Sequence, residues 1–189
     1  MQYVDPIVTK KKYLEELKKF NQIEEHYRNS GVILVKETYP NLYFAFAAPS
    51  LNPIPILFAV QINFTNYDVE PLSVNFVHPL TLQPVLINEI VTKLPRKISG
   101  NGYQCLMQAQ NDQVPFFCIP GVREYHKHTF HNGDSWFLHR GRAGEGSLCF
   151  LLDNLQLYGI SAVNSFVIQV VNVQSQKVTL GYDINSIPE

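Results

Sequence analysis

From Thr38 to Tyr67 the chain carries no charged side chain. A run of that length could cross a bilayer as a helix, for which about 20 apolar residues suffice. Pro40, Pro49, Pro53 and Pro55, with several Asn between them, forbid that reading. Proline in a helix interior removes an N–H and clashes with the preceding turn. What survives is a set of short apolar runs separated by turn residues, the pattern of a buried antiparallel sheet rather than a membrane span.

The rest of the chain frames that sheet. Asp5-Pro6 is a helix start, and Tyr13, Leu14, Leu17, Phe20, Ile23 and Tyr27 recur at mostly three- and four-residue steps among Lys and Glu, which predicts one amphipathic helix ending near Asn29-Ser30-Gly31. Lys10, Lys11 and Lys12 read as its solvated face. Runs rich in Val, Ile, Tyr and Phe follow at Val32 to Thr38, Leu42 to Ala48, Ile56 to Phe64 and Leu72 to Val77, a four-stranded meander. Leu86 to Leu94 is expected as a short helix and Ser99-Gly100-Asn101-Gly102 as a turn. Gln104 to Gln108 and Val114 to Ile119 are expected to pair across Asn111-Asp112. Leu148 to Leu157 reads as an apolar helix closed by Gly159, and Phe166 to Val173 with Lys177 to Tyr182 as a terminal hairpin. The expected class is α+β, one domain over residues 1–189.

Composition narrows the function. Fifteen Lys and Arg balance sixteen Asp and Glu, with a pI near 6.6, which leaves no electrostatic footprint for nucleic acid or an anionic membrane. Three Cys (105, 118 and 149) are an odd and widely spaced set, unlike an extracellular disulfide framework. With no basic stretch leading into an apolar one at the start, a cytoplasmic location is expected. Cys105 and Cys149 sit in apolar runs and are expected as inert core residues, and His26 as a solvated helix residue.

The densest group of potential ligands lies between Cys118 and His139, where four of the six His are found. A thiolate, imidazoles and a carboxylate form the donor set that zinc prefers. Were the segment extended, Glu124, His126 and His128 would project to one face, because side chains alternate along a strand. Spacing alone leaves a metal site and a plain His-rich surface loop equally open. His126-Lys127-His128 followed by Ser135 lacks the spacing and the final Asp of a JAMM-type zinc site, since Leu138 stands where that Asp belongs.

Two resemblances are carried by these residues. The segment from Phe117 to Trp136, with the helix start Gly144 to Leu148, resembles a bacterial family of predicted metal-binding proteins named for a Cys-Glu-His-His set. Members of that family are encoded beside ubiquitin-like, activating-enzyme-like and conjugating-enzyme-like proteins. The resemblance implies zinc on Cys118, Glu124 and His126, with His128 or His131 as the fourth ligand, in a loop spanning residues 118–139. The amino-terminal half resembles the ubiquitin-conjugating (UBC/RWD-like) fold. The first helix, the meander, the stretch from Asn66 to Phe76, and Cys118 between Phe117 and Ile119 ahead of a helix carry that likeness. His78-Pro79 is similar to part of that fold's His-Pro-Asn motif, but Leu80 replaces its Asn.

The expectation that follows is a metal-binding, conjugating-enzyme-like component of a bacterial ubiquitin-like conjugation pathway, with an implied role in antiphage defence. Its partners would be the ubiquitin-like modifier and its activating or conjugating enzymes, with neither nucleic acid nor membrane. Two alternatives stand beside it. In one, Cys118 is the thioester nucleophile of an active transferase, which needs an accessible thiolate rather than a metal-bound one. In the other, a zinc hydrolase, Glu124 activates a metal-bound water between His126 and His128.

Overall fold

The structure is a computed structural model that describes residues 1–100, 102–109, 113–142, 144–172, 175–183 and 186–189. Helix α1 spans Pro6–Gln22. Asp5 starts it: the carboxylate accepts the Ile7 N–H at 2.8 Å, and Pro6 occupies the first turn, where its missing N–H costs nothing. The single helix expected to Asn29 is instead two, broken at Ile23, whose N–H turns back to the Phe20 carbonyl; α2 follows at Glu24–Asn29. Tyr13, Leu17, Phe20 and Tyr27 face the core, while Leu14 and Ile23 stay exposed.

The meander is formed by β1 (Val32–Thr38), β2 (Asn41–Ala47), β3 (Ile56–Asn63) and β4 (Ser73–Val77), all antiparallel. Period-two alternation decides its faces. Leu42, Phe44 and Phe46 on β2 meet the helices, with Phe44 edge-on to Phe20 at 5.3 Å between ring centres and Phe46 stacked on Phe58 at 4.5 Å. The alternate residues Ala45, Ala59 and Val77 form a smaller cluster on the far side.

Two more strands extend this sheet beyond β4. Short strands β5 (Pro95–Ile98) and β6 (Gly102–Cys105) pair with each other, and β7 (Met107–Ala109) pairs with β8 (Pro115–Phe117). Strand β8 also joins β4 at Phe116 opposite Asn75, so the six-stranded order is β1-β2-β3-β4-β8-β7. The helix expected from Leu86 to Leu94 is only one 3-10 turn, Ile87–Glu89. The expected run Gln104 to Gln108 divides at Leu106 between two partners, and Asn111-Asp112 lies outside the described residues, as do Asn101 and Val173.

Helices α3 (Arg123–Lys127) and α4 (Trp136–His139) carry the His-rich segment, and α5 (Leu148–Gly159) returns to pack on α1. Glu16 on α1, almost wholly buried, accepts the Leu148 N–H at 2.8 Å, placing a carboxylate at the positive end of α5. At the other end Gly159 is required by contact: a Cβ there would lie 2.5 Å from the Phe58 ring. The hairpin of β9 (Val163–Asn172) and β10 (Ser175–Tyr182) follows. The α+β class, amino-terminal helix and terminal hairpin are those expected. Among the described residues no helix is long and apolar enough to cross a membrane.

Candidate functional site

The sheet delivers Cys118 to the end of β8, where its N–H donates to the Leu106 carbonyl at 2.7 Å. Its thiol Sγ lies 3.3 Å from Nε2 of His131, which stands on a 3-10 turn, Thr129–His131. Cys118 is 4% exposed, and burial pushes its thiol up to about 11, against the opposing pull of Arg96. Burial and the neighbouring His128 lower the pKa of His131. Both causes favour the uncharged forms, so near neutral pH the contact joins a thiol to a neutral imidazole.

A chain of side chains sets the His131 ring. Tyr125 stacks on it at 3.8 Å between ring centres, and the Tyr125 hydroxyl donates to Asp134 at 2.7 Å. The other Asp134 oxygen accepts from His139 Nε2 at 2.5 Å, and His139 Nδ1 donates to Glu145 at 2.7 Å. Both ring nitrogens of His139 meet carboxylates, so it must donate from both and is protonated. Its pKa is accordingly raised, chiefly by the hydrogen bond to Asp134, and Asp134 is held below its ordinary value chiefly by His139 and then Tyr125.

Glu124 and His126 have other duties. The segment expected to be extended is helical at α3, and residues two apart on a helix lie on nearly opposite sides. The expected shared face of Glu124, His126 and His128 is therefore absent. Glu124 turns to β4, accepting the Ser73 hydroxyl at 2.5 Å and the Val74 N–H at 3.1 Å. His126 accepts the Gly121 N–H on Nε2 at 3.0 Å, which leaves the proton on Nδ1 to be donated to the Asp134 carbonyl at 2.8 Å. Both of its nitrogens are committed. His128 packs between Phe116 and Phe130, its ring centre 5.9 Å from that of His131. Of the five candidate ligands, only Cys118 and His131 are brought into contact, with the His128 ring 5.9 Å from that of His131. Among the described residues, no three His, Cys, Asp or Glu side chains are gathered as a metal ion requires.

Close backbone packing fixes the segment. A Cβ on Gly121 would lie 2.6 Å from the Gly146 N, and one on Gly146 would lie 2.3 Å from the Trp136 ring. Arg123 donates to the Pro71 carbonyl at 3.1 Å and to the Thr65 carbonyl, bolting α3 to the approach of β4. Cys105 is exposed and Cys149 only half-buried, correcting the expectation of two inert core thiols. His26 is exposed as expected.

The profile of the Y4jH family, described as Y4jH-like, matches residues 4–109 and 96–163, a span that includes the meander and the whole Cys118 segment. The chain belongs to the Y4jH family. It is 38% identical over 176 residues to the uncharacterized protein y4jH of Sinorhizobium fredii (strain NBRC 101917 / NGR234), covering 84% of this chain and 85% of that relative. In this Y4jH-family chain, sequence reasoning missed Tyr125, Asp134, His139 and Glu145 as the frame around His131. Their one signal was that all four lie in or beside the His-rich segment. Arg96, whose charge bears on the thiol, lies in a stretch with no readable pattern.

Proposed function

We propose that this chain is a conjugating-enzyme-like component of a bacterial ubiquitin-like protein conjugation pathway, with Cys118 as the acyl-accepting thiol and His131 as its base. The observation that carries this reading is the 3.3 Å contact between Sγ and His131 Nε2 at the end of β8. Its setting supports it: a first helix, a four-stranded antiparallel meander, the Cys beyond the sheet and a following helix packed on the first. That is the arrangement in which the sequence resembles the UBC/RWD-like fold.

In this reading the modifier arrives as a thioester on its activating enzyme. His131 takes the Cys118 proton as Sγ attacks the acyl carbon; the new C–S bond forms, the old one breaks, and His131 returns the proton to the departing thiolate. The thiol is covered in the structure, so the Thr129–His131 turn must open to admit the acyl group and close again to return His131 to Sγ for the proton transfer. Tyr125 and the Asp134–His139–Glu145 chain give that turn a defined position to return to.

A second reading keeps zinc, on Cys118, His131 and His128, and is favoured by the same contact and the nearness of the two imidazoles. Glu124 and His126 do not fit this set, being fully occupied elsewhere, and His128 would have to leave Phe116. A zinc ion, when bound, would hold the thiol as thiolate and order the segment.

The test is incubation with the pathway's activating enzyme, modifier and ATP. A reductant-sensitive adduct lost in Cys118→Ser and slowed about 100-fold in His131→Gln supports the transferase. No adduct, with near-stoichiometric zinc lost from Cys118→Ser by plasma mass spectrometry, would replace it with the metal-binding reading.

A further inference from the structure

We propose that Arg96 is the anion-recognising residue of the Cys118 site, receiving the oxyanion that develops on the acyl group as the thiol attacks it. The proposal deepens the transferase reading and rests on Cys118 being the group that meets the acyl carbon.

Three backbone segments place Arg96 there. The Cys118 N–H donates to the Leu106 carbonyl at 2.7 Å, and the Leu106 N–H donates to the Leu94 carbonyl at 3.0 Å, so Leu94, Leu106 and Cys118 lie side by side. Arg96 is two residues beyond Leu94. Its cross-strand partner Gln104 is two residues before Leu106. Beyond the intervening Pro95–Cys105 pair, the Arg96–Gln104 pair is therefore the next rung on the same face as Leu94 and Leu106, half-buried at the margin of the site.

The side chain is held but its charge is unspent. Nη2 of Arg96 donates to Gln104 Oε1 at 2.5 Å, a neutral amide that orients the guanidinium without neutralising it. Among the described residues no carboxylate forms an ion pair with Arg96, whereas Arg28, Arg123 and Arg140 pair with Glu24, Glu70 and Asp68. A guanidinium has five donors in a planar fork, and Gln104 engages one side of it. The remaining donors suit a planar two-oxygen anion or the single oxygen of a tetrahedral intermediate.

The test uses the intact protein and two small probes, iodoacetate and iodoacetamide, with alkylation of Cys118 followed by peptide mass spectrometry. The same thiolate attacks both reagents and displaces iodide, so their rate ratio cancels any change in thiol acidity and reports anion attraction alone. Relative to 2-mercaptoethanol, Cys118 is expected to favour iodoacetate by about fivefold or more, declining as salt is raised. Arg96→Gln should abolish the preference and Arg96→Lys should keep part of it. An unchanged ratio in Arg96→Gln, a wild-type ratio indifferent to salt, or failure of Cys118 to react at all would each overturn the proposal. The wild-type salt series stands even if Arg96→Gln does not fold. A preference lost in Arg96→Gln without any thioester adduct would leave Arg96 an anion site and remove the transferase reading alone. An adduct with no anion preference would do the reverse.

Discussion

Replacing Glu124 by Ala removes the acceptor of two hydrogen bonds that tie α3 to β4, one from the Ser73 hydroxyl at 2.5 Å and one from the Val74 N–H at 3.1 Å. A hydrogen bond to a charged group contributes about 1.5–3 kcal/mol. Glu124 is half-buried, so water replaces part of what is lost, and a net cost of about 2–4 kcal/mol is expected. At about 2–4 °C per kcal/mol for a chain of this size, Glu124→Ala should melt about 4–16 °C below wild type. Glu124→Gln keeps one acceptor for Val74 and should lose less than half as much. A double-mutant cycle with Ser73→Ala isolates the shared bond, for which about 1–2 kcal/mol of coupling is expected.

The assay is thermal unfolding followed by circular dichroism, each variant with and without a chelator. The tether predicts the same deficit in both conditions, because it contains no metal. Were Glu124 a metal ligand, stripping the wild type would lower its melting point to that of the variant and the difference would vanish. A Glu124→Ala melt within about 1 °C of wild type, or strict additivity with Ser73→Ala, would refute the tether.

Other outcomes follow from the same geometry. Gly146→Ala would force a Cβ to 2.3 Å from the Trp136 ring at a residue with φ of +72°, and should cost about 2–4 kcal/mol in chemical denaturation. Tyr27→Phe removes the hydroxyl that donates to Asp153 at 2.7 Å and should cost about 1–2 kcal/mol by the same measure. His139, with its pKa raised, stabilises the fold below its unfolded value near 6.5 and loses that contribution as pH rises through the folded value. Asp134, with its pKa lowered, contributes above its unfolded value of 3.8 and loses it as pH falls through the folded one. His139→Gln should therefore be more damaging at about pH 5.5 than at about pH 9, read as the pH dependence of the unfolding midpoint.

The meander was legible because each strand brings its own pattern and its own breakers. Val32 to Thr38 was read with its observed bounds, and the next three runs to within a residue at either end, since Pro, Asn and Asp mark their turns. The stretch from Pro79 to Ile98 was not legible, although the turn that follows at Ser99 and Gly100 was. Its strand β5 is four residues of Pro, Arg, Lys and Ile, with no alternation to detect, and it exists because β6 pairs with it. The break at Ile23 was hidden because the apolar spacing continues across it, although Ile23 itself is exposed.

The site failed to be legible for a more specific reason. Helix α3 is five residues long, has no side-chain cap, and starts where Val122 bridges Leu72 and the Arg123 N–H donates to the Leu72 carbonyl at 2.9 Å. Nothing local announces such a helix; tertiary contacts impose it. Yet that one turn decides which residues do what. Read as a strand, it gathers Glu124, His126 and His128 on one face and yields a metal site. Wound as a helix, it sends the carboxylate to β4 and the imidazole of His126 to Gly121 and Asp134, both as anchors. His131, past the helix end, is then carried back over a thiol thirteen residues earlier in the chain. The cluster looks like five interchangeable candidate ligands in sequence because residue type is all that sequence displays there. The fold divides it into two tethers, Glu124 and His126, and a contacting pair, Cys118 and His131, with His128 beside them.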